Sequence, residues 1–371
     1  NCQSLRPFVI AEIGVNHEGS MDKAKLMIDQ AKAGGADAVK FQSYKAETLA
    51  SKNSPAYWDQ TKEPISSQFE LFKKNDSFWK KEFQDLKIYC NQVDIEFMST
   101  PFDIESALFL NDLMDVYKIS SSDITNKPFI QYLCQFNKPI ILSTGASTRK
   151  EIQEAIDWIS PYNIHLSLLH CVLNYPTPNE FASLQKIKTL KELFPQYLIG
   201  YSDHTNPQDM LPCIAAVLLG ARVIEKHFTF DKSLPGNDHY HAMDLNDLKQ
   251  FTESLSLVST LYKSGDFNDL SSQAKAIENA RRSLVSSLDI PAGTTITEAH
   301  LTFKRPASGI SPKDIDQVIG KETTRAIKED EQIVTKEKII ELLTSPEFSF
   351  QMMNKYPLIT KVKYRRIIDI Y

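Results

Sequence analysis

Eight short apolar runs rich in β-formers recur between residues 8 and 229: FVIAEIG (8–14), AVKFQ (38–42), IEFMST (95–100), VYKISS (116–121), PIILSTG (139–145), HLSLLHC (165–171), LIGYSD (198–203) and VIEKHFT (223–229). Helix-compatible segments separate them, among them 21–33, 104–113, 150–159, 184–193 and 208–219. Runs of this length separated by helices read as parallel strands joined by crossovers. Eight such units favour a closed (β/α)8 TIM barrel over a doubly wound sheet.

One connection breaks the rhythm. Residues 43–94 are too many for a turn and a single helix, and they carry Tyr57, Trp58, Phe69, Phe72 and Trp79. An ordered excursion near the barrel mouth is expected there, not a slack linker. Beyond the eighth run the pattern changes. A barrel over 1–267 is expected to pass through a linker helix, 268–280, into a small β-rich domain, 281–340, whose stretch IPAGTTITEAHLTFKRPASGISP (290–312) is dense in turn residues. A tail, 341–371, carries a broken basic stretch that reads as a solvated face or packing strap.

Composition narrows the class. The 371 residues hold 42 basic and 47 acidic side chains, a net charge of −5, which disfavours a nucleic-acid partner. The longest apolar stretch, 214–224, is short and contains Arg222, so no membrane span is expected. Five dispersed cysteines without a CxxC pair exclude a disulfide framework and a cysteine zinc site on spacing. The opening NCQSLRPFVI has neither a signal-peptide pattern nor an initiator Met, so a processed or trimmed start and a cytoplasmic location are expected.

Functional groups of such a barrel collect at the C-terminal ends of its strands. Here those ends carry Glu12, Asn16 and His17; Lys40 and Gln42; Ser99 and Thr100; Lys118, Ser120 and Ser121; Ser143 and Thr144; Ser202 and His204; Glu225 and His227. Lys40 and Lys118 with the hydroxyls of Thr100, Ser121 and Ser143 suit a phosphate-bearing carboxylate. The plainer alternative pairs each lysine with a carboxylate at the mouth, and Ser143 could cap a helix. His204 and His227 would face each other from neighbouring strands, as ligands of a borderline divalent ion with open positions or as ordinary hydrogen-bonded histidines. His239 and His241, in LPGNDHYHAMD (234–244), are a competing pair, but the Pro-Gly loop reads rather as a turn covering the substrate. No GxGxxG or GxxxxGK[ST] stands in a strand-to-helix context, and there is no GxSxG elbow.

In order and spacing, FVIAEIGVNHEG (8–19), VKFQ (39–42), MSTPFD (98–103), KISSSD (118–123), STG (143–145), HCVLNYPTP (170–178), IGYSDHT (199–205), EKHF (225–228) and PGND (235–238) resemble the sialic acid synthases. ARRSLV (280–285) and KRP (304–306) resemble that family's antifreeze-protein-like (SAF) domain. The resemblance implies condensation of phosphoenolpyruvate with an N-acetylmannosamine-type sugar to a nine-carbon 2-keto acid, with release of phosphate and use of Mn2+ or Mg2+. It implies His204 and His227 as metal ligands and Glu12 as the carboxylate near the reacting enol carbon. Lys40, Gln42, Thr100, Lys118, Ser121, Ser143 and Ser202 match the phosphoenolpyruvate site, and Tyr175 and Asp238 match sugar contacts. Arg305 matches an arginine presented to the partner subunit's sugar, which implies a domain-exchanged homodimer. Leu173 stands where an asparagine is expected and Asp123 where several members have Glu, which opens the alternative of a legionaminic- or pseudaminic-type synthase acting on a diacetamido-trideoxyhexose. A Schiff-base barrel aldolase or lyase using Lys40 or Lys118 is a same-fold rival, and a noncatalytic ice- or glycan-binding protein is a rival of another class.

Overall fold

The structure is a computed structural model that describes residues 6–236, 238–262 and 265–334. The chain divides into two units, Asn1–Lys263 and Ser264–Tyr371.

In the first unit the eight runs form β1 (Phe8–Gly14), β2 (Ala38–Ser43), β3 (Glu96–Pro101), β4 (Tyr117–Ile119), β5 (Ile140–Ser143), β6 (Leu166–Cys171), β7 (Leu198–Asp203) and β8 (Val223–His227). Every ladder between them is parallel, in the order β3-β2-β1-β8-β7-β6-β5-β4. Packing of β3 against β4 closes the ring into a (β/α)8 barrel. Outward side chains such as Val9, Val39, Phe97 and Ile119 join one large core with the surrounding helices. Inward, a separate cluster of Ile10, Ala38, Met98, Ile141, Leu169 and Val223 floors the barrel.

Side chains alternate faces along a strand, so the next inward residue after each floor residue stands one layer higher. Those residues are Glu12, Lys40, Thr100, Ser143, Cys171 and Glu225. The floor is crowded enough that β7 contributes only Gly200, where an added Cβ would come within 2.6 Å of the Val223 carbonyl oxygen.

The excursion is ordered, with helices at Ala46–Leu49, Gln68–Asn75 and Lys80–Val93. Tyr44 meets Phe72 edge-on at 5.5 Å between ring centroids, and Trp79 meets Phe109 at 5.2 Å. Several elements are shorter than expected, two of them for a visible local reason. β4 stops at Ile119 because Ser120 turns to cap the short 3-10 turn Ser121–Asp123, its Oγ accepting from Ser122 N. The helix expected over 208–219 spans Leu211–Leu218, because Asp209 and Met210 adopt left-handed backbone at φ 55° and 58°.

In the second unit a helix at Ala274–Ala280 precedes an antiparallel pair, β9 (Ser283–Ser286) and β10 (Leu301–Lys304), over a small core of Leu284, Ile296, Leu301, Val318 and Ile333. The expected tail lies outside the described residues. Among them, no helix is long and apolar enough to cross a membrane.

Candidate active site

The layer above the floor is polar and buried. Lys40 forms a close ion pair with Glu12, donates to Thr100 Oγ1 at 2.9 Å and lies 3.9 Å from Glu225 Oε2. Lys118 lies 3.5 Å from Glu225 Oε1, to which Ser202 Oγ donates at 2.9 Å. Gln42 Nε2 donates to Glu12 Oε1 at 3.2 Å. Both lysines therefore have carboxylate partners, which corrects the picture of a simply basic pocket. Glu225, a strand-end residue given no role from sequence, is the bridge between them.

The two carboxylates ionise differently. Burial pushes Glu12 up to about 7, against the pull of Lys40 and with the help of neighbouring Glu225. Burial acts on Glu225 in the same sense, but Lys118 and Lys40 outweigh it and hold that group down at about 2. Near neutral pH the layer thus has one firmly ionised carboxylate and one close to its midpoint beside two lysine side chains, whose donors suit an anion. Burial also pulls Lys118 down. Ser143 Oγ is buried with no hydrogen-bond partner among the described residues, so it caps no helix and points into the chamber instead. Ser121 Oγ accepts from Gly145 N at 2.9 Å.

Imidazoles stand above this layer. The His204 and His227 rings are 5.5 Å apart between centroids. His204 Nδ1 lies 2.8 Å from the Val172 carbonyl oxygen, which can only accept, so Nδ1 carries a proton and Nε2 is the ring nitrogen left for a ligand. Burial drives His227 well below its ordinary pKa, leaving it neutral. Asp238 comes within 3.9 Å of His227 Nδ1 and 3.5 Å of His241 Nε2. His241 is fully buried with its ring 5.2 Å from that of His227, and neither ring nitrogen is hydrogen-bonded among the described residues. The turn at 234–244 therefore brings an imidazole into the site as well as covering it.

Two imidazoles beside a carboxylate, with Nε2 of His204 not engaged by the Val172 carbonyl, fit a borderline divalent ion. Among the described residues no three His, Cys, Asp or Glu side chains converge to enclose one, so its other positions would fall to water and substrate. His17, by contrast, stacks on Phe78 at 4.1 Å and is a packing residue.

The chamber opens into a cavity of about 610 Å³, a size suited to a small-molecule ligand. Its wall is mixed, with an aromatic and apolar part formed by Tyr44, Tyr57, Trp58, Phe72, Leu173 and Tyr175. Gln42, Asp123, Asp238 and His227 reach it as well, and ten of its 25 lining residues come from the excursion. Tyr175 packs 4.2 Å from His204, and Leu173 lines both spaces. Lys74 is a cation on this wall and its partner is Glu63 at 3.1 Å; Glu18, itself ion-paired with Lys23, reaches the wall with Asp123 and Asp238. The first unit thus brings together Glu12, Lys40, Gln42, Thr100, Lys118, Ser121, Tyr175, Ser143, Ser202, His204 and His227 with Asp238. Arg305 belongs to the second unit, where it is exposed and has no ion pair among the described residues.

Buried lysines, carboxylates and imidazoles at the C-terminal mouth of a (β/α)8 barrel define an enzyme, and its relatives say of which kind. Residues 27–266 match the NeuB family and residues 281–337 the SAF domain. The chain belongs to the NeuB family and is a carbon–carbon bond-forming enzyme. It is 38% identical over 335 residues to N,N'-diacetyllegionaminic acid synthase of Campylobacter jejuni, covering 88% of this chain and 99% of that one. To N-acetylneuraminate-9-phosphate synthase of Homo sapiens it is 31% identical over 329 residues, covering 88% and 91%. The crystal structure of N-acetylneuraminic acid (sialic acid) synthetase from Leptospira borgpetersenii in complex with citrate superposes with a TM-score of 0.65 at 32% identity, covering 74% of this chain and 90% of that one.

Proposed function

We propose that the barrel condenses phosphoenolpyruvate with the open-chain form of an unphosphorylated diacetamido-trideoxyhexose, giving a nine-carbon 2-keto acid of the legionaminic or pseudaminic type and phosphate. The observation that carries this is the two-tier site: a small lysine- and hydroxyl-lined chamber opens, past paired imidazoles, into a wide, partly aromatic cavity. Lys40 and Lys118, with Thr100, Ser121, Ser143 and Ser202, hold the phosphate and carboxylate of the three-carbon substrate. Gln42 orients Glu12 beside its enol carbon. A divalent ion, Mn2+ or Mg2+, held by His204 and His227 would supply Lewis-acid polarisation of the sugar aldehyde.

In the reaction the enol C3 attacks the aldehyde carbon, whose oxygen becomes an alkoxide, and C2 becomes electrophilic. Water adds to C2 as Glu12 takes one of its protons and passes it to that alkoxide; the C2–O bond to phosphate then breaks as the C2 hydroxyl becomes the ketone, its proton leaving with phosphate. A carboxylate titrating near neutrality is matched to such proton transfer. The ion pairing of both lysines favours this charge-holding role over a Schiff base, for which borohydride with a keto substrate would leave a covalent adduct. Tyr175 and Asp238 face the sugar, and Arg305 reaches its acyl group across a domain-exchanged homodimer.

The sugar assignment rests on the cavity wall. Apolar Leu173 and the aromatic rings suit a deoxygenated, doubly acylated sugar, and the excess of carboxylates disfavours a second phosphate. The names of relatives point both ways, to diacetyllegionaminic acid and to N-acetylneuraminate 9-phosphate. Phosphate release is to be measured with phosphoenolpyruvate, Mn2+ and three sugars: a 2,4-diacetamido-trideoxyhexose, N-acetylmannosamine and its 6-phosphate. The diacetamido sugar should have the highest kcat/KM. A preference for the phosphorylated sugar would overturn the specificity, and no phosphate release with any of the three would overturn the reaction.

A further inference from the structure

Immediately beside the two proposed ligands, on the opposite face of the same strands, lies a buried ion pair with no part in the chemistry above. Asp203 and Lys226 are 1% and 0% exposed at their side chains, and Lys226 Nζ lies 2.8 Å from Asp203 Oδ2. Asp203 directly precedes His204 and Lys226 directly precedes His227, so side-chain alternation turns the pair outward, beneath the helix Leu211–Leu218, and the imidazoles inward.

The pair is unusually well satisfied. Tyr201 Oη donates to Asp203 Oδ1 at 2.8 Å, Thr205 N donates to the same oxygen at 2.9 Å, and Cys213 Sγ donates to Oδ2 at 3.4 Å. Lys226 also donates to the Thr205 carbonyl. Its location is more telling than its completeness. The β7–β8 ladder runs Tyr201 to Ile224, Ser202 to Glu225 and Asp203 to Lys226, and stops there. His204 stands one residue past the last paired position of β7, so the backbone ladder does not fix its distance from His227. At that point the side-chain bond between Asp203 and Lys226, tied on to Thr205 beyond His204, continues the connection between the strands. A buried ion pair is weak evidence for stability, since apolar replacements of similar volume are often neutral or stabilising, while its directional bonds restrict geometry.

We infer that Asp203 and Lys226 are positioning residues that set the spacing of His204 and His227 for a divalent ion. The inference rests on the metal-site reading above, and the experiment separates the two. Mn2+ binding to the full chain, with phosphoenolpyruvate present, is measured calorimetrically alongside thermal unfolding. Wild type should bind and His227→Ala should not. The apolar pair Asp203→Leu/Lys226→Met should fold with a lower unfolding temperature, since Tyr201, Thr205 and Cys213 lose their partner, and bind Mn2+ about 10- to 100-fold more weakly, the usual cost of losing an outer-shell support. Tyr201→Phe, which removes one bond to Asp203, should weaken binding in the same direction by a smaller factor and guards against a double variant that does not fold. Wild-type affinity in the folded double variant, or in Tyr201→Phe where the double variant does not fold, overturns the positioning role and leaves the metal site standing. Absence of binding in wild type, or its persistence in His227→Ala, overturns the metal site and this inference together.

Discussion

Glu12 shows how a single residue acquires its chemistry from its layer. In water its carboxyl would be ionised at neutral pH, but burial raises it to about 7 even with Lys40 in contact. Because the folded-state value lies above the unfolded one, the contribution of this group to stability is fully present below about 4.5 and is lost as pH rises through about 7. In the proposed reaction the sign is opposite, since only the ionised form of Glu12 could accept a proton from water. The expected profile of kcat/KM against pH has an acid limb at or below about pH 7. In Glu12→Gln that limb should vanish and the rate fall by about 10²- to 10⁴-fold, the usual contribution of a general base. An unchanged acid limb in the variant would assign it to another group.

Among the elements, the barrel strands were legible because their period-two pattern is local: an apolar floor residue, then a polar one two positions on, as in Ile10 and Glu12, Ala38 and Lys40, or Met98 and Thr100. The lysine partners were less legible. Glu225 meets Lys118 and Lys40 only when β8 has closed against β1 and the ring is complete, and no spacing in the sequence encodes that contact. His241 was visible as half of an i, i+2 histidine pair, yet the chain reversal that sends it down to His227 is set by tertiary packing. The fold of the excursion could be read only as ordered, because its aromatic residues find their partners in different helices. Close packing of the floor also makes a prediction at this scale. Gly200→Ala places a Cβ against the Val223 backbone, which cannot move aside as a side chain can. The substitution should destabilise the barrel by about 1–3 kcal/mol, as overpacking does, and denaturant titration reads it directly.

For the whole molecule, the site of the first unit gathers every proposed residue except Arg305. An exposed arginine without an ion pair among the described residues of its own unit is available to a substrate, whereas one bound into its own domain would not be. Mixing inactive Glu12→Ala with inactive Arg305→Ala tests whether it acts across subunits. If the second unit serves the partner's barrel, mixed dimers hold one intact site and regain part of the activity after subunit exchange. Failure to recover activity once exchange is confirmed would place Arg305 in service of its own barrel or of none.

The apolar floor of Ile10, Ala38, Met98, Ile141, Leu169 and Val223 makes the chamber a blind end. Whatever occupies its depth must enter first, and once the outer cavity is filled it has no second exit. Traffic through the site should therefore be ordered, with the three-carbon anion arriving before the sugar. In steady-state kinetics a nonreacting sugar analogue, such as the corresponding alditol, should inhibit uncompetitively against phosphoenolpyruvate. Noncompetitive inhibition would mean that the two substrates bind independently, and competitive inhibition that the analogue occupies the empty site and shuts phosphoenolpyruvate out.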